Sequence, residues 1–327
     1  MDNPIKRYLV DAIAAEKSFE TQLRGFAKEA TLAQARTLFE QHAGETRLQY
    51  EQLTSRLETL GGSPSTMKSL LAHVFNLSPR AAQLGHDDRE RTTQDLMMAF
   101  SVENAEIAMY EALITAAEAT GDSETAALAR RIQAQERETA EKVWNAIEPA
   151  ANVAYNEAVA RDQSESRNAI VRYLQDAEAA ERNFEDALAG FGKSGDQTSV
   201  QSLFTMMSEK ARRQYERLDT RLASLGASRS AAKSALAHLL AFSPLSAQFG
   251  HEPSEKNTQH LMVTYSAAAA EMAMYEGLAV AASAAGDQET SRLARELQAE
   301  EKEDHRLAWE YLPHSARASL QAVLSEA

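Results

Sequence analysis

Shifted by 165 residues, the sequence aligns with itself without a gap. IKRYLVDAIAAEKSFETQLRGFAK meets IVRYLQDAEAAERNFEDALAGFGK, LLAHVFNLSPRAAQLGH meets ALAHLLAFSPLSAQFGH, and AEIAMYEALITAAEATGD meets AEMAMYEGLAVAASAAGD. The period is far longer than the 20–50 residues of stacked-repeat proteins. The chain therefore reads as a duplicated domain, with one copy over residues 1–163, the other over 164–327, and the boundary near Ser164. Its 327 residues are long for one core and comfortable for two.

Each copy reads as four long amphipathic helices. In the first copy, apolar or small residues recur at spacings of three and four: Leu9, Ile13, Leu23 and Phe26; then Leu38, Leu48, Leu53, Leu57 and Leu60; then Leu96, Phe100, Ile107, Tyr110, Leu113 and Ala117; then Leu128, Ile132, Val143 and Ile147. Gly61-Gly62 and Gly121-Asp122 supply the stops. No alternating strand-type run is present. The second and third helices are joined by a long connection, about Ser63 to Arg91, which holds a short helical piece, MKSLLAHVF, and a Ser-Pro turn. Such a link lets the chain cross the bundle from end to end, so that the second and third helices run parallel. After Trp144, PAANVAYNEAVARDQSES resembles the C-terminal PHSARASLQAVLSEA, so each bundle is expected to end in a short packing helix. The fold class is all-α.

The charge balance is acidic: 34 Lys plus Arg against 48 Asp plus Glu, a formal −14. That argues against unspecific nucleic-acid binding, which needs clustered positive charge. No cysteine is present, which excludes disulfides, thiolate nucleophiles and thiolate metal sites. No stretch approaches the roughly 20 apolar residues of a membrane span, and the N-terminus lacks a secretory pattern. The expectation is a cytoplasmic protein that binds neither membrane nor nucleic acid.

Against that background, polar groups interrupt the apolar stripes. Glu16 continues the first-helix series. His42 follows Leu38 by four and Glu45 follows His42 by three. Glu103 and Glu106 fall between Phe100 and Tyr110, and Glu136 follows Ile132 by four. All four helices thus aim a carboxylate or imidazole at the bundle axis. Burying ionised carboxylates costs several kcal/mol each unless they are paired. Two divalent cations would compensate, and bundle cores with inward Glu and His are a known way to hold them. The bland readings are that single glutamates on acidic helices face water, that His42 is a packed imidazole, and that Arg7, Arg47 and Arg131 neutralise the charge. His73, His86, His238 and His251 sit outside the stripes and read as structural.

The second copy sharpens the choice. Glu181, Glu271 and Glu301 match Glu16, Glu106 and Glu136, whereas Met207, Lys210 and Ala268 replace His42, Glu45 and Glu103. Joint loss from two helices fits loss of a shared function, with the Lys210 ammonium standing in for a metal. Glu20, Glu111 and Glu138 are also unchanged between copies, so retention alone is not diagnostic. Asp304 and His305, where the first copy has Thr139 and Ala140, leave open a shifted site.

FEQHAGET, VENAEIAMYEALI, DAIAAEKSFE and QERETAEKV together resemble the YciE/YciF-like branch of the ferritin-like superfamily, over nearly the whole of each copy. The resemblance implies two tandem ferritin-like four-helix bundles with a long crossover between helices two and three, an often dimeric assembly and a link to stress responses. It carries over Glu16, His42, Glu45, Glu103, Glu106 and Glu136 as metal ligands for a di-iron or di-manganese centre acting on oxygen or peroxide. Zinc is a further candidate. The superfamily's usual Glu-x-x-His is reversed in helix two, as His42-x-x-Glu45, and helix four has Thr139 where a histidine would stand. Duplication would make the chain an intramolecular pseudo-dimer, with further homo-oligomers open and the crossover segments a candidate contact. Two functions compete: a metal-binding oxidoreductase using the first copy, with Tyr110 beside it, and a non-catalytic stress scaffold without a functional metal centre.

Overall fold

A computed structural model describes residues 4–63, 90–161, 165–230 and 253–325. They form α1 (Pro4–Glu29), α2 (Ala33–Thr59), α3 (Arg91–Ala119), α4 (Ser123–Arg161), α5 (Glu165–Phe191), α6 (Thr198–Ser224), a 3-10 turn at Pro253–Glu255, α7 (Lys256–Ala284) and α8 (Gln288–Ser325). No strand occurs among the described residues. The connections at 64–89 and 231–252, with MKSLLAHVF, the Ser-Pro turns and His73, His86, His238 and His251, lie outside them, as do residues 162–164 around the expected boundary.

α1–α4 form one bundle and α5–α8 the other. The α1–α2 corner touches the start of α3, where the Thr31 amide donates to Thr92 Oγ1 at 3.0 Å. The far end of α2 touches the start of α4, where Arg56 reaches Asp122 and Thr125. α2 and α3 therefore run parallel. Copy two repeats this, with Asn257 on Asp196 at one end and Arg221 on Asp287 and Thr290 at the other. The helix stops work as the sequence suggests. Gly61 and Gly121 adopt φ of 70° and 75°, and the next amides, of Gly62 and Asp122, turn back to the carbonyls of Leu57 and Ala117. Only glycine enters that region at no steric cost.

Two expectations need correction. The last helix of each copy does not break into a separate packing helix: α4 runs on through Pro149 and α8 through Pro313. An internal proline removes one helix hydrogen bond. Burial of Ala150, Ala151, Ala154, Tyr155 and Ala158 just beyond Pro149 offsets that loss. Leu48 is not on the core stripe but is 57% exposed. The buried stripe of α2 is Phe39, His42, Thr46, Gln49, Leu53 and Leu57, and its polar members hide the periodicity.

The halves meet chiefly along α3 and α7, and their contacts obey a two-fold rule. Ser101 Oγ donates to the Ser266 carbonyl at 3.2 Å, and Ser266 Oγ donates to the Ser101 carbonyl at 2.9 Å. Arg7 pairs with Glu255 at 2.9 Å, and its counterpart Arg172 pairs with Glu90 at 3.3 Å. Residue i meeting j while the counterpart of i meets that of j is the signature of an isologous interface. The chain is an intramolecular pseudo-dimer. Gly277 sits at this contact, and a Cβ there would meet Met97 Cε of the other half at 2.2 Å. One apolar core, including Phe39, Leu96, Leu174 and Leu261, continues across the interface.

The pin between α2 and α4 is testable. Arg56 is 14% exposed and holds Asp122, Glu124 and Thr125, and Arg221 repeats the arrangement on Asp287, Glu289 and Thr290. Arg56→Ala is expected to cost about 2 kcal/mol, the range for losing hydrogen bonds between charged groups. Thermal melts followed by circular dichroism check this. A melting temperature equal to wild type would show that the pin adds nothing.

Candidate metal centre

The first bundle brings one polar group or more from each helix to its axis. Glu103, Glu106 and Tyr110 stand at i, i+3 and i+7 on α3, so they share a face. Glu16 comes from α1, His42 and Gln49 from α2, and Glu136 from α4. Glu16, Glu103 and Glu136 are fully buried, and His42, Gln49 and Glu106 are 2% exposed. His42, Glu103 and Glu136 each offer a ligand atom within 4.8 Å of the others. His42 Nε2 lies 2.9 Å from Glu103 Oε1, a charge contact in which neither atom completes a well-directed hydrogen bond.

The neighbours fix half of this set and leave the other half bare. Tyr110 donates its hydroxyl to Glu16 Oε1, and Gln49 donates its amide to Glu136 Oε1 at 2.5 Å. Glu16 Oε2, Glu136 Oε2 and both oxygens of Glu103 and Glu106 are buried without a hydrogen-bond partner. Buried polar atoms in native proteins are almost always paired. This many on one axis mark a place for a cation or for protons. None of Arg7, Arg47 and Arg131 supplies the charge. Arg7 is at the interface with Glu255, Arg47 pairs with Glu51 and Glu20, and Arg131 binds Gln52 on the surface.

With protons alone to balance the charge, the site's acid–base properties are strongly displaced. Burial pushes Glu16 up to about 8, against the Tyr110 hydrogen bond and the His42 charge. Burial, followed by the neighbouring carboxylates, pushes Glu106 and Glu136 well up. His42 goes the other way from an ordinary buried imidazole. Burial opposes its charging, but Glu103, Glu45 and Glu16 together raise it to about 10. The imidazolium is thus the fixed cation of the set until a metal displaces its proton.

Glu45 departs from its expected place. Its side chain is 49% exposed, and one oxygen lies 3.7 Å from His42 Nδ1. Three residues turn a helix by roughly 300°, which sets Glu45 some 60° off the His42 face, whereas seven residues bring Gln49 back to within about 20° of it. Glu45 is a rim residue, its carboxyl lowered chiefly by the neighbouring His42 imidazole, with burial opposing and with Lys142 and the Thr139 hydroxyl assisting. Sequence reasoning missed Gln49, and a seven-residue step from His42 was the available signal.

A profile described as a domain of unknown function (DUF892) matches the chain twice, over residues 6–156 and 166–321. The chain belongs to the DUF892 family. No curated protein and no solved structure matches it. The two DUF892 matches coincide with the two bundles, so the internal repeat is a tandem pair of this family's domains.

The second DUF892 copy keeps the frame of the first. Tyr275 donates to Glu181, and Gln214 donates to Glu301 at 2.5 Å. Glu181, Glu271 and Glu301 are 0–3% exposed and again place ligand atoms within 4.8 Å of one another. The expectation that Lys210 stands in for a metal among them needs correction. Its ammonium pairs with Asp304 at 2.7 Å and donates to the Glu300 carbonyl at 2.6 Å. Its charge acts to lower Glu181 and Glu301 against burial, but its ion pair is with Asp304. Lys210 and Asp304 occupy the places of Glu45 and Thr139, so one rim contact has been exchanged for another. His305 does not build a shifted site either. It stacks on Tyr265 with ring centroids 3.7 Å apart and bonds Asn104 of the other half at 3.0 Å.

Proposed function

We propose that the first copy is a metal centre of the di-iron or di-manganese type and that the protein is an oxidoreductase acting on oxygen or peroxide. The observation that carries this reading is the row of unpartnered, buried oxygens on Glu16, Glu103, Glu106 and Glu136 beside the His42 imidazole. Carboxylates with one imidazole suit manganese, iron or zinc. Bound there, such ions supply Lewis-acid and redox chemistry.

Everything else is the work of the chain. Tyr110 holds Glu16 and Gln49 holds Glu136, so each presents its other oxygen to the axis. Supports of this kind orient ligands and are worth 10–100-fold in affinity. Phe19 packs edge-on against the His42 ring at 5.4 Å and helps keep water away. Glu45, the one half-exposed member, links the buried set to solvent and receives an incoming cation first. His42 must give up its Nε2 proton to become a ligand, and Glu103 Oε1 at 2.9 Å is the acceptor beside it, while Glu45, 3.7 Å from Nδ1, favours the tautomer that keeps its proton on Nδ1. The likeness to the stress-linked YciE/YciF-like branch favours a role in oxidative stress.

Metal analysis of protein from manganese- and iron-rich cultures, followed by ferrous oxidation with oxygen or peroxide, tests the proposal. Wild type is expected to retain metal and turn over, and Glu103→Ala to lose both. Protein that retains no metal and oxidises nothing above background would leave the scaffold reading in its place.

A further inference from the structure

We propose that the second copy carries a cation site of its own: a mononuclear, all-oxygen site for a hard divalent ion, formed by Glu181 of α5, Glu271 of α7, Glu301 of α8 and the amide oxygen of Gln214 on α6. It shares no residue with the first-copy centre and does not depend on that centre being catalytic.

The three carboxylates are buried, come from three helices and have ligand atoms mutually within 4.8 Å. That is the span of oxygens arranged around one hard cation, where each bond is about 2.0–2.6 Å. Each also retains a buried oxygen, Oε2, with no hydrogen-bond partner. Gln214 supplies an independent observation. It is 1% exposed, its Nε2 is spent on Glu301, and its Oε1, on the same amide group, has no partner. Left bare in the core beside Glu301, that oxygen calls for a cation or a donated proton.

Among the described residues, the ammonium whose charge reaches the trio, that of Lys210, does not fill that role. Lys210 is 18% exposed and is engaged by Asp304 and the Glu300 carbonyl at the rim. The Lys210–Asp304 pair is neutral as a unit, so it leaves the charge of the three glutamates unbalanced. Loss of the imidazole and of the Glu103 counterpart removes the borderline ligand and two of the five buried donors of the first copy. What remains is oxygen only, the donor set of manganese, magnesium and calcium rather than of zinc or copper.

Mn2+ titration of metal-stripped, full-length protein, read by the electron paramagnetic resonance signal of free Mn2+, tests the site. The variant Glu106→Gln/Glu136→Gln, which disables the first copy, is expected to keep one equivalent of Mn2+. Adding Glu271→Gln/Glu301→Gln should weaken that equivalent at least 100-fold. Glu271→Gln/Glu301→Gln alone should lose one equivalent from the wild-type total. These changes keep side-chain volume, and circular dichroism checks that the helices persist. If the first-copy variant, helical by this measure, binds no Mn2+, the trio is held by protons and the proposal is overturned. It is equally overturned if the second-copy variant binds as much as wild type. Wild type binding a single equivalent, lost with Glu271→Gln/Glu301→Gln, would sink the first-copy reading and leave this one standing.

Discussion

A His42→Ala protein is expected to melt well below wild type, and a His42→Met/Glu103→Ala protein to recover most of the difference. His42 and Glu103 are a buried pair, 2% and 0% exposed, with Nε2 and Oε1 2.9 Å apart. Removing one partner of such a pair costs about 3–5 kcal/mol because the survivor is left charged in a dry core, whereas replacing both with apolar groups is often neutral. The second copy has already made the double replacement: Met207 and Ala268 occupy these positions, both fully buried. Metal binding should respond differently. Both variants lose the imidazole and should bind first-copy metal more than about 100-fold less tightly, beyond what outer partners alone contribute. Thermal melts and metal titration on the same two proteins separate the effects. Equal destabilisation by the single and double variants would show that no charge pair exists there. Unchanged metal affinity in both would remove His42 from the centre.

Much of the fold was legible because the repeat is almost undisturbed. Once two halves superpose at a fixed shift, each glycine stop is seen twice and each apolar stripe is checked against its copy. The parallel run of α2 and α3 followed from the length of the link alone. The continuous α4 and α8 were not legible, since an internal proline is a stop signal locally and only the apolar packing of Ala150–Ala158 overrides it. Among the candidate residues, the burial of Glu16, His42, Glu103, Glu106 and Glu136 was legible because a polar group interrupting an apolar stripe is conspicuous. Glu45 was misplaced for the same reason that Gln49 was missed. Steps of three and four were read as equivalent, while on α2 the facing stripe keeps a seven-residue repeat through polar side chains.

Lys210 shows what a sequence comparison cannot supply. Column by column, an ammonium replaces a glutamate and an aspartate replaces a threonine, two changes on different helices. In space they are one change: the Glu45–Thr139 rim contact has become the Lys210–Asp304 ion pair. The pairing sets the two new charges against each other, while Glu181, Glu271 and Glu301 keep their burial and their grouping. A reading confined to the sequence columns sees three residues lost; the geometry shows three buried carboxylates still gathered on the axis.

Metal-stripped protein is expected to be most stable near pH 5 and to lose stability steadily up to about pH 9. Glu16 is raised to about 8 and Glu301 to about 7, each chiefly by burial, and Glu106, Glu136, Glu181 and Glu271 are raised well above the ordinary range for the same first reason. A group with a raised folded pKa binds its proton more tightly in the native state. Its contribution is complete below the unfolded value, near 4.5, and is lost as pH climbs through the folded one. His42, raised to about 10 by its carboxylate neighbours despite burial, acts in the same direction between about 6.5 and 10. Two groups of residues oppose this at the acid end. His260 and His305, lowered by burial to about 4, penalise the native state as pH falls below 6.5. Asp122 and Asp287, held low by their threonine and arginine partners against burial, lose their contribution at still lower pH. The net fall from pH 5 to 9 should be several kcal/mol, or on the order of 10 °C in a chain of this size. A divalent metal takes the place of the protons, so its stabilisation should grow over the same window. Melts at pH 5, 7 and 9 with and without Mn2+ are therefore expected to diverge as pH rises. A stripped protein whose melting temperature is flat or rises across that range would mean that the buried carboxylates are not balanced by protons, and the case for metal exchange at either axis would fail with it.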